Sequence, residues 1–395
     1  MGSDSRQRVI VAGAGVAGIE TALALRDLAG DLVTVELFDP RSEFVFRPFA
    51  VGEPYGNSRS FRYDLDRLAA RCGAGRHPDS LVSVDPARQL ATTHGGKPVS
   101  YDYLVVASGV RMLWAVPGSI TFWGVADEGP VGDAIARLRA GELRRLAFTV
   151  PAGRGWALPL YELALLAAME VEKAGHSTQV VVVTPEEAPL EVFGQRVAEA
   201  MGELLEERGV ELVAGAHPIE FEEGRLRVAP GEAVDADVAI SLPRLEGRPL
   251  AGLPHDAEGF VRIDDHCGVI GLSGVYAAGD VTSFPVKQGG VASQQADVLA
   301  EAIAAAAGSP VAPRPFDPVL RGVLWTGDGP RYLYGRPTGG HGEASGFSEH
   351  PQGPLREGKI TARYFSPLVD ELEAEVEARG EGNRPATGGQ TRRAG

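Results

Sequence analysis

The chain has 395 residues, enough for about two or three domains of ordinary size, and carries 53 acidic against 38 basic side chains for a net charge of −15. That charge, with no basic cluster, repels polyphosphate backbones and anionic bilayers, so neither nucleic acid nor a membrane is expected as a partner. The N-terminus, MGSDSRQRVIVAGAG, enters a strand without the charged and apolar regions of a signal peptide, and no apolar run reaches bilayer-spanning length, so the cytoplasm is the expected location. The two cysteines, Cys72 and Cys267, lie far apart in no CxxC or CxxxxC arrangement, which argues against a local thiol redox pair and for unrelated thiols. No metal site is expected, because the eight histidines show neither HxxxH nor HExxH spacing.

Taken in chain order, RVIVAGAGVAGIETALALRD reads as strand, Gly-rich turn and helix, and DLVTVELFDP as a second strand closing a βαβ unit. VSYDYLVVASGV gives a further strand ending in small residues. Pro117 and Gly118 mark a crossover into a second α/β segment: the strand RRLAFTVP, a helix from near Leu160, the strand TQVVVVTPEE, a helix around Val197 to Arg208 and the strand GVELVAG. This order repeats that of the first unit, which implies a second doubly wound domain inserted into the first. From VDADVAISLP the chain is expected to return to the first domain, reaching GVYAAGD and a long Ala-rich helix. RPFDPVLRGVLWTGDGPRYLYGR reads as a β-meander, residues 336–358 as a loop, and the tail 379–395 as a disordered segment.

In GAGVAG, Gly13, Gly15 and Gly18 complete GxGxxG between strand and helix: one glycine for the tight turn, one for backbone approach to a pyrophosphate, one for helix–strand packing. Asp39 closes the next strand about 20 residues further on, where an acid accepts hydrogen bonds from a ribose. Together these indicate a dinucleotide site.

VVASGV at 105–110 and VYAAGD at 275–280 resemble the ATG-type and GD motifs of the pyridine nucleotide-disulfide oxidoreductase superfamily. FDPRSEFVFRPFAVGE and FPVKQGGVASQQAD are similar to stretches of its sulfide:quinone oxidoreductase and type II NADH dehydrogenase group, and KITARYFSPLVDEL is similar to the C-terminal element of the first of these. The resemblance implies an α/β fold of two Rossmann-like, three-layer dinucleotide-binding domains, the second inserted in the first, plus a C-terminal α+β segment. The implied boundaries are 1–112 with 236–312 for the FAD-binding domain, 113–235 for the second, 313–378 for the C-terminal domain and 379–395 for the tail. It implies FAD as cofactor, held by Gly13, Gly15, Val16, Ala17, Gly18, Asp39, Pro40, Arg47, Pro48, Val82, Ala107, Ser108, Gly109, Gly279, Asp280, Lys287 and Gly290. Asp280 would bond the ribityl or phosphate region, and Ser108 stands where threonine is usual. Lys287 has two readings: an inward cation that, with a helix N-terminus, stabilises negative charge on the reduced ring, or a solvated surface lysine.

A working second nucleotide site needs GxGxxG after RRLAFTV, but the turn reads PAGRGWALPLYE, with Trp156, Leu158 and Pro159 where amides would meet a pyrophosphate. The acids of VVVVTPEE come only after Thr184 and Pro185, a poor ribose anchor. Pro159, Tyr161 and Glu162 instead resemble the Pro-x-Tyr-Glu helix start of sulfide:quinone oxidoreductases, although the cysteines those enzymes use have no counterparts here. Candidate catalytic residues are therefore Lys287, Glu162 and Tyr161, with Glu162 read either as a proton relay or as an acid stabilised by the helix dipole. Trp114, Trp123 and Trp156 either wall a pocket or fill a domain junction.

The function expected is an FAD-dependent oxidoreductase passing two electrons from a small-molecule donor to an acceptor such as a quinone. Two alternatives are an NAD(P)H:quinone-type oxidoreductase using an altered second site, and an FAD-bound non-catalytic or sensing protein.

Overall fold

Short runs of wholly buried Val, Ile, Leu and Ala alternate with Ala- and Leu-rich helices, a pattern that produces parallel sheets covered on both faces. The computed structural model describes residues 6–58, 60–124, 129–337, 345–351 and 359–378, with the backbone alone for 376–378. Its α-helices are α1 (Val16–Leu28), α2 (Leu65–Cys72), α3 (Pro130–Arg139), α4 (Leu158–Ala174), α5 (Gln195–Glu207), α6 (Gly289–Ala306) and α7 (Phe365–Ala378).

The first five-stranded sheet runs in the order Val275–Ala277, Tyr103–Val106, Gln7–Ala12, Val33–Phe38, Gly75–His77, and every pairing is parallel. One face packs with α1 and α6 through Ile19, Leu23, Ala296 and Leu299, and the other packs beneath an antiparallel ribbon bearing Val84, Ala91 and Val99. The chain order places the topological switch between the strands starting at Gln7 and Tyr103, where a crevice opens at their carboxyl ends.

The second five-stranded sheet repeats the scheme: Ile120–Thr121, Val238–Ser241, Arg145–Thr149, Gln179–Val183, Val210–Val213, again all parallel. Here the structure differs from the expectation that the chain leaves this unit at 236. Val238–Ser241 is fully buried within the second sheet, paired to both Ile120–Thr121 and Arg145–Thr149, and the return follows it. Three apolar residues and a serine, all buried, suit the interior of either sheet, so the sequence pattern could not choose between them. Val110–Leu113 and Arg244–Gly247 pair antiparallel as the two-way bridge between the sheets.

Leu320–Trp325 and Pro330–Gly335 form the expected meander, and Gly346–Ser348 adds a third strand inside what reads as a loop. Residues 338–344 and 352–358 of that loop, and the tail 379–395, lie outside the described residues. The meander sends Leu320, Leu324 and Leu333 into the core of the second sheet. By contrast α7 sends Phe365, Leu368, Val369 and Leu372 into the core of the first, so the apolar face of that helix is consumed by packing. Among the described residues no helix is long and apolar enough to cross a membrane.

Candidate flavin site

A cavity of about 1090 Å³ lies over the switch point, between the two sheets and the C-terminal segment. Its floor is the Gly-rich turn. A Cβ on Gly13, whose φ is +112°, would lie 2.3 Å from the Ala107 carbonyl oxygen, and one on Gly18 would lie 1.9 Å from the Gly13 carbonyl oxygen. These two glycines therefore bring strand, turn and helix together. Gly15 differs, since a Cβ there would meet nothing within 4 Å. It is the N-cap of α1 and provides no side-chain cap, so the first amides of the helix face open space suited to an anion.

Most of the residues expected to hold FAD converge here: Gly13, Gly15, Val16, Ala17, Asp39, Pro40, Arg47, Pro48, Val82, Ala107, Ser108, Gly109, Gly279, Asp280 and Lys287 all line the cavity. Gly18 and Gly290 do not reach it: Gly18 faces the Gly13 backbone, and Gly290 sits in the first turn of α6 against the Gln288 side chain. Ser108 Oγ is buried without a protein partner, as is Gln288 Oε1, also on the wall. Open space at Gly15, backbone demands at Gly13 and Gly18, and two orphaned polar atoms are what a bound dinucleotide would satisfy, so the residues present fit FAD.

Asp39 is buried, and although burial raises its carboxyl, hydrogen bonds from Arg41 and the Ala14 amide bring it below the usual carboxylate range. Oδ1 accepts from Arg41 N (3.0 Å) and Nε (2.9 Å), while Oδ2 accepts from Ala14 N (2.9 Å) and an Arg41 terminal nitrogen (2.6 Å). All the lone-pair positions of the carboxylate are thus taken, and a ribose would have to displace the half-exposed Arg41 side chain. Asp280 is enclosed deeply enough that burial raises its carboxyl, against the opposing charges of Lys287 and Arg47. Gln295 holds the turn before it by accepting from Gly279 N at 2.7 Å.

Lys287 points inward. It is 5% exposed, its Nζ donates to the Thr282 carbonyl and sits 4.2 Å from the Phe260 ring centre, and burial lowers its pKa to about 8 against the pull of Asp280. The uncapped N-terminus of α6 adjoins it through Gln288 and Gly289, so two sources of positive potential share one end of the cavity.

Glu162 also lines the cavity, but as half of a buried ion pair with Lys359, the side chains being 2% and 5% exposed. Its Oε1 further accepts from Trp325 N at 2.9 Å, and Lys359 Nζ stands 4.2 Å from the Trp325 ring centre. Burial raises the Glu162 carboxyl despite Lys359, and burial lowers Lys359 despite Glu162. Lys359 is a site residue that sequence reasoning missed. It lies in KITARYF, where only family likeness, and no spacing rule, pointed to anything.

Tyr161 is a correction. It is fully buried and donates to Glu186 Oε2 at 2.6 Å on the far side of α4, away from the cavity. Neighbouring residues on a helix point about 100° apart, so Glu162 and Tyr161 could not both face the same space.

The altered second turn is tied to its neighbour through Gly155, although a Cβ on Gly153 or Gly155 would meet nothing within 4 Å. Gly155 N donates to the Pro285 carbonyl (3.1 Å) and Lys287 N donates to the Gly155 carbonyl (3.0 Å), a parallel bridge that ties this turn to the segment entering α6. Trp156 stacks at a tilt on Phe193, 5.5 Å between centres, and lines the cavity together with Trp123. Trp114 stands outside, 77% exposed, edge-on to Trp123. Cys72 and Cys267 are buried and free, with burial pushing the Cys72 thiol up to about 12 and raising Cys267 as well, and neither lines the cavity.

Comparison with known proteins agrees with this arrangement. Residues 162–303 match the family model described as pyridine nucleotide-disulphide oxidoreductase. The sulfide-quinone reductase of Aquifex aeolicus is 29% identical over 177 residues, 43% of this chain but only 40% of that protein. An NADH dehydrogenase-like protein of Mycobacterium tuberculosis is 26% identical over 302 residues, covering 70% of this chain and 73% of the relative. In structure, the sulfide:quinone oxidoreductase from Aquifex aeolicus aligns with a TM-score of 0.77 and 20% identity, over 96% of this chain and 93% of that one. Residues 162–303 therefore carry the match to the pyridine nucleotide-disulphide oxidoreductase family, the chain shares its fold with the Aquifex aeolicus enzyme over nearly its whole length, and these matches support an FAD-dependent oxidoreductase.

Proposed function

We propose that this oxidoreductase takes two electrons from a small donor other than a conventionally bound nicotinamide and passes them to an acceptor such as a quinone, without a cysteine redox pair. The observation that carries this reading is the altered second turn: the Gly155 amide is spent on Pro285, and the bulky Trp156 packs beside it on Phe193. The position of an adenosine ribose anchor is likewise spent, since Glu186 is occupied by Tyr161 and Thr184. The sulfide- and quinone-named relatives support the class of acceptor.

In this reading the α1 N-terminus and Gly15 receive the pyrophosphate, and Ser108 and Asp280 face the middle of the cofactor. Residues 6–112 with 242–312 form the flavin unit, and the described residues of 113–241 the second. FAD supplies the two-electron chemistry. Lys287 and the α6 N-terminus favour negative charge at one end of the cavity, while Glu162, tied to Lys359, is placed to hold or release a proton beside the acceptor.

The test uses the holoprotein, photoreduced without oxygen and mixed with a soluble quinone. Saturable reoxidation that slows in Glu162→Gln is expected. Reoxidation that is linear in quinone and indifferent to that substitution would overturn the assignment.

A further inference from the structure

The C-terminal segment reaches the cavity through a short strap, residues 359–364, that runs from Lys359 to the start of α7. Lys359 and Ile360 line the cavity, and Ile360 covers the N-terminus of α6 so closely that a Cβ on Gly289 would lie 2.4 Å from it. At the far end of the strap one buried side chain takes both amides that open α7. Glu20 of α1 is wholly buried, and its two carboxylate oxygens accept from Tyr364 N (3.0 Å) and Phe365 N (2.5 Å), the amides that open α7. A carboxylate there is favoured by the helix dipole. Yet a second acid, Asp297 of α6, faces Glu20 closely enough for each to act on the other's charge, and its Oδ1 is enclosed without a hydrogen-bond partner.

We propose that Glu20 and Asp297 share a single proton, and that this proton positions the C-terminal strap, and Lys359 with it, against the cavity. Two carboxylates that face each other in an enclosed site resist both being ionised. Glu20 has two backbone donors to stabilise its charge, so the proton resides on Asp297, which donates to Glu20. Burial, and then the charge of Glu20, push the Asp297 carboxyl up to about 8.

The surrounding charged groups are otherwise committed. Glu301 of α6 pairs with Arg314, Asp27 of α1 accepts from the Tyr364 hydroxyl at 2.8 Å, and Arg67 and Arg71 of α2 pair with Glu375, with Glu371 also on Arg71. Cys72 of α2 is held as the thiol, burial being the main cause. Arg363 of the strap stacks over the Tyr364 ring at 5.0 Å and lowers Asp297 only in part. At the other end of the strap, Lys359 has Glu162. Glu20 and Asp297 are therefore Lys359-positioning residues, acting through the strap rather than on any reacting atom.

The sign follows from linkage. With the strap docked, Asp297 titrates at about 8; loss of the strap admits water to the pair and moves this carboxyl down toward the ordinary value near 3.9, with Glu20 still beside it on α1. Between those values the docked state binds the extra proton, so docking weakens as pH rises, by up to about tenfold per pH unit, and levels off above about 8.

The test is amide hydrogen exchange of residues 360–372 in the full-length holoprotein across this pH window, corrected for the intrinsic exchange rate. The strap and first turns of α7 should lose protection progressively with rising pH and then level off. In Asp297→Asn, which keeps a donor toward Glu20 but cannot ionise, protection should become independent of pH. Wild-type protection that does not vary with pH, or an unchanged profile in Asp297→Asn, would overturn the proposal; the first result needs no variant, and neither depends on the identity of donor or acceptor.

Discussion

Gly15→Ala separates what the Gly-rich turn does for the fold from what it does for the cofactor. Gly15 has φ −83°, comfortable for any residue, and its added Cβ meets no atom within 4 Å, so the apoprotein should change by no more than about 1 kcal/mol, the usual size of an N-cap effect. The same methyl would stand where a pyrophosphate meets the α1 amides. Displacing one hydrogen bond to a charged group costs about 1.5–3 kcal/mol, which corresponds to roughly ten- to hundredfold weaker FAD binding. Gly18→Ala should do the reverse. Its Cβ, 1.9 Å from the Gly13 carbonyl oxygen, forces α1 off the strand, and overpacking of that kind costs at least about 1–3 kcal/mol before any cofactor is added. The assay is thermal denaturation of the two apoproteins beside FAD titration followed by flavin fluorescence. The reasoning fails if Gly15→Ala binds FAD as the wild type does, or if it destabilises the apoprotein as much as Gly18→Ala.

Lys359→Met leaves Glu162 unpaired in a buried site and should cost about 3–5 kcal/mol, much of it recovered in the double variant with Glu162→Gln; a denaturation cycle with additive single effects would contradict this. Glu186 is pushed up to about 7 by burial, with the Tyr161 hydroxyl holding it down, so the native chain carries a proton that the unfolded chain lacks from about 4.5 to 7 and stability falls with pH there. Tyr161→Phe should extend that fall to higher pH while leaving turnover within about twofold, since the hydroxyl faces away from the cavity; comparing denaturation series with initial rates tests both parts. Burial lowers Lys287 to about 8, so between about 8 and 10.5 only the unfolded chain keeps that proton and stability rises with pH, a rise that denaturation series should show abolished in Lys287→Met.

Much of the first dinucleotide unit is legible in the sequence because its demands are local. GxGxxG directly between a strand and a helix fixes a turn, and the structure shows two of its glycines pressed against backbone and the third facing open space. What the sequence hid depends on contacts between distant segments. Asp39 reads as a ribose anchor, but Arg41, two residues on, fills its lone pairs. Glu162 and Tyr161 look equivalent in PLYELA until the helix is placed and turns one toward the cavity and the other toward Glu186. Lys359 becomes visible only when the strap crosses 197 positions of sequence to reach Glu162. Val238–Ser241 shows the same limit for topology, since a four-residue buried run of Val, Ala, Ile and Ser fits either sheet.

The most direct test of the proposed electron donor is an anaerobic absorbance spectrum of the FAD-loaded protein during addition of NADH and then NADPH. With the Gly155 amide bound to Pro285 and Trp156 packed on Phe193, the oxidised flavin bands should persist through both additions. Rapid, saturable bleaching by either nucleotide would contradict the account and make the turn from Gly153 to Pro159 a working nicotinamide site.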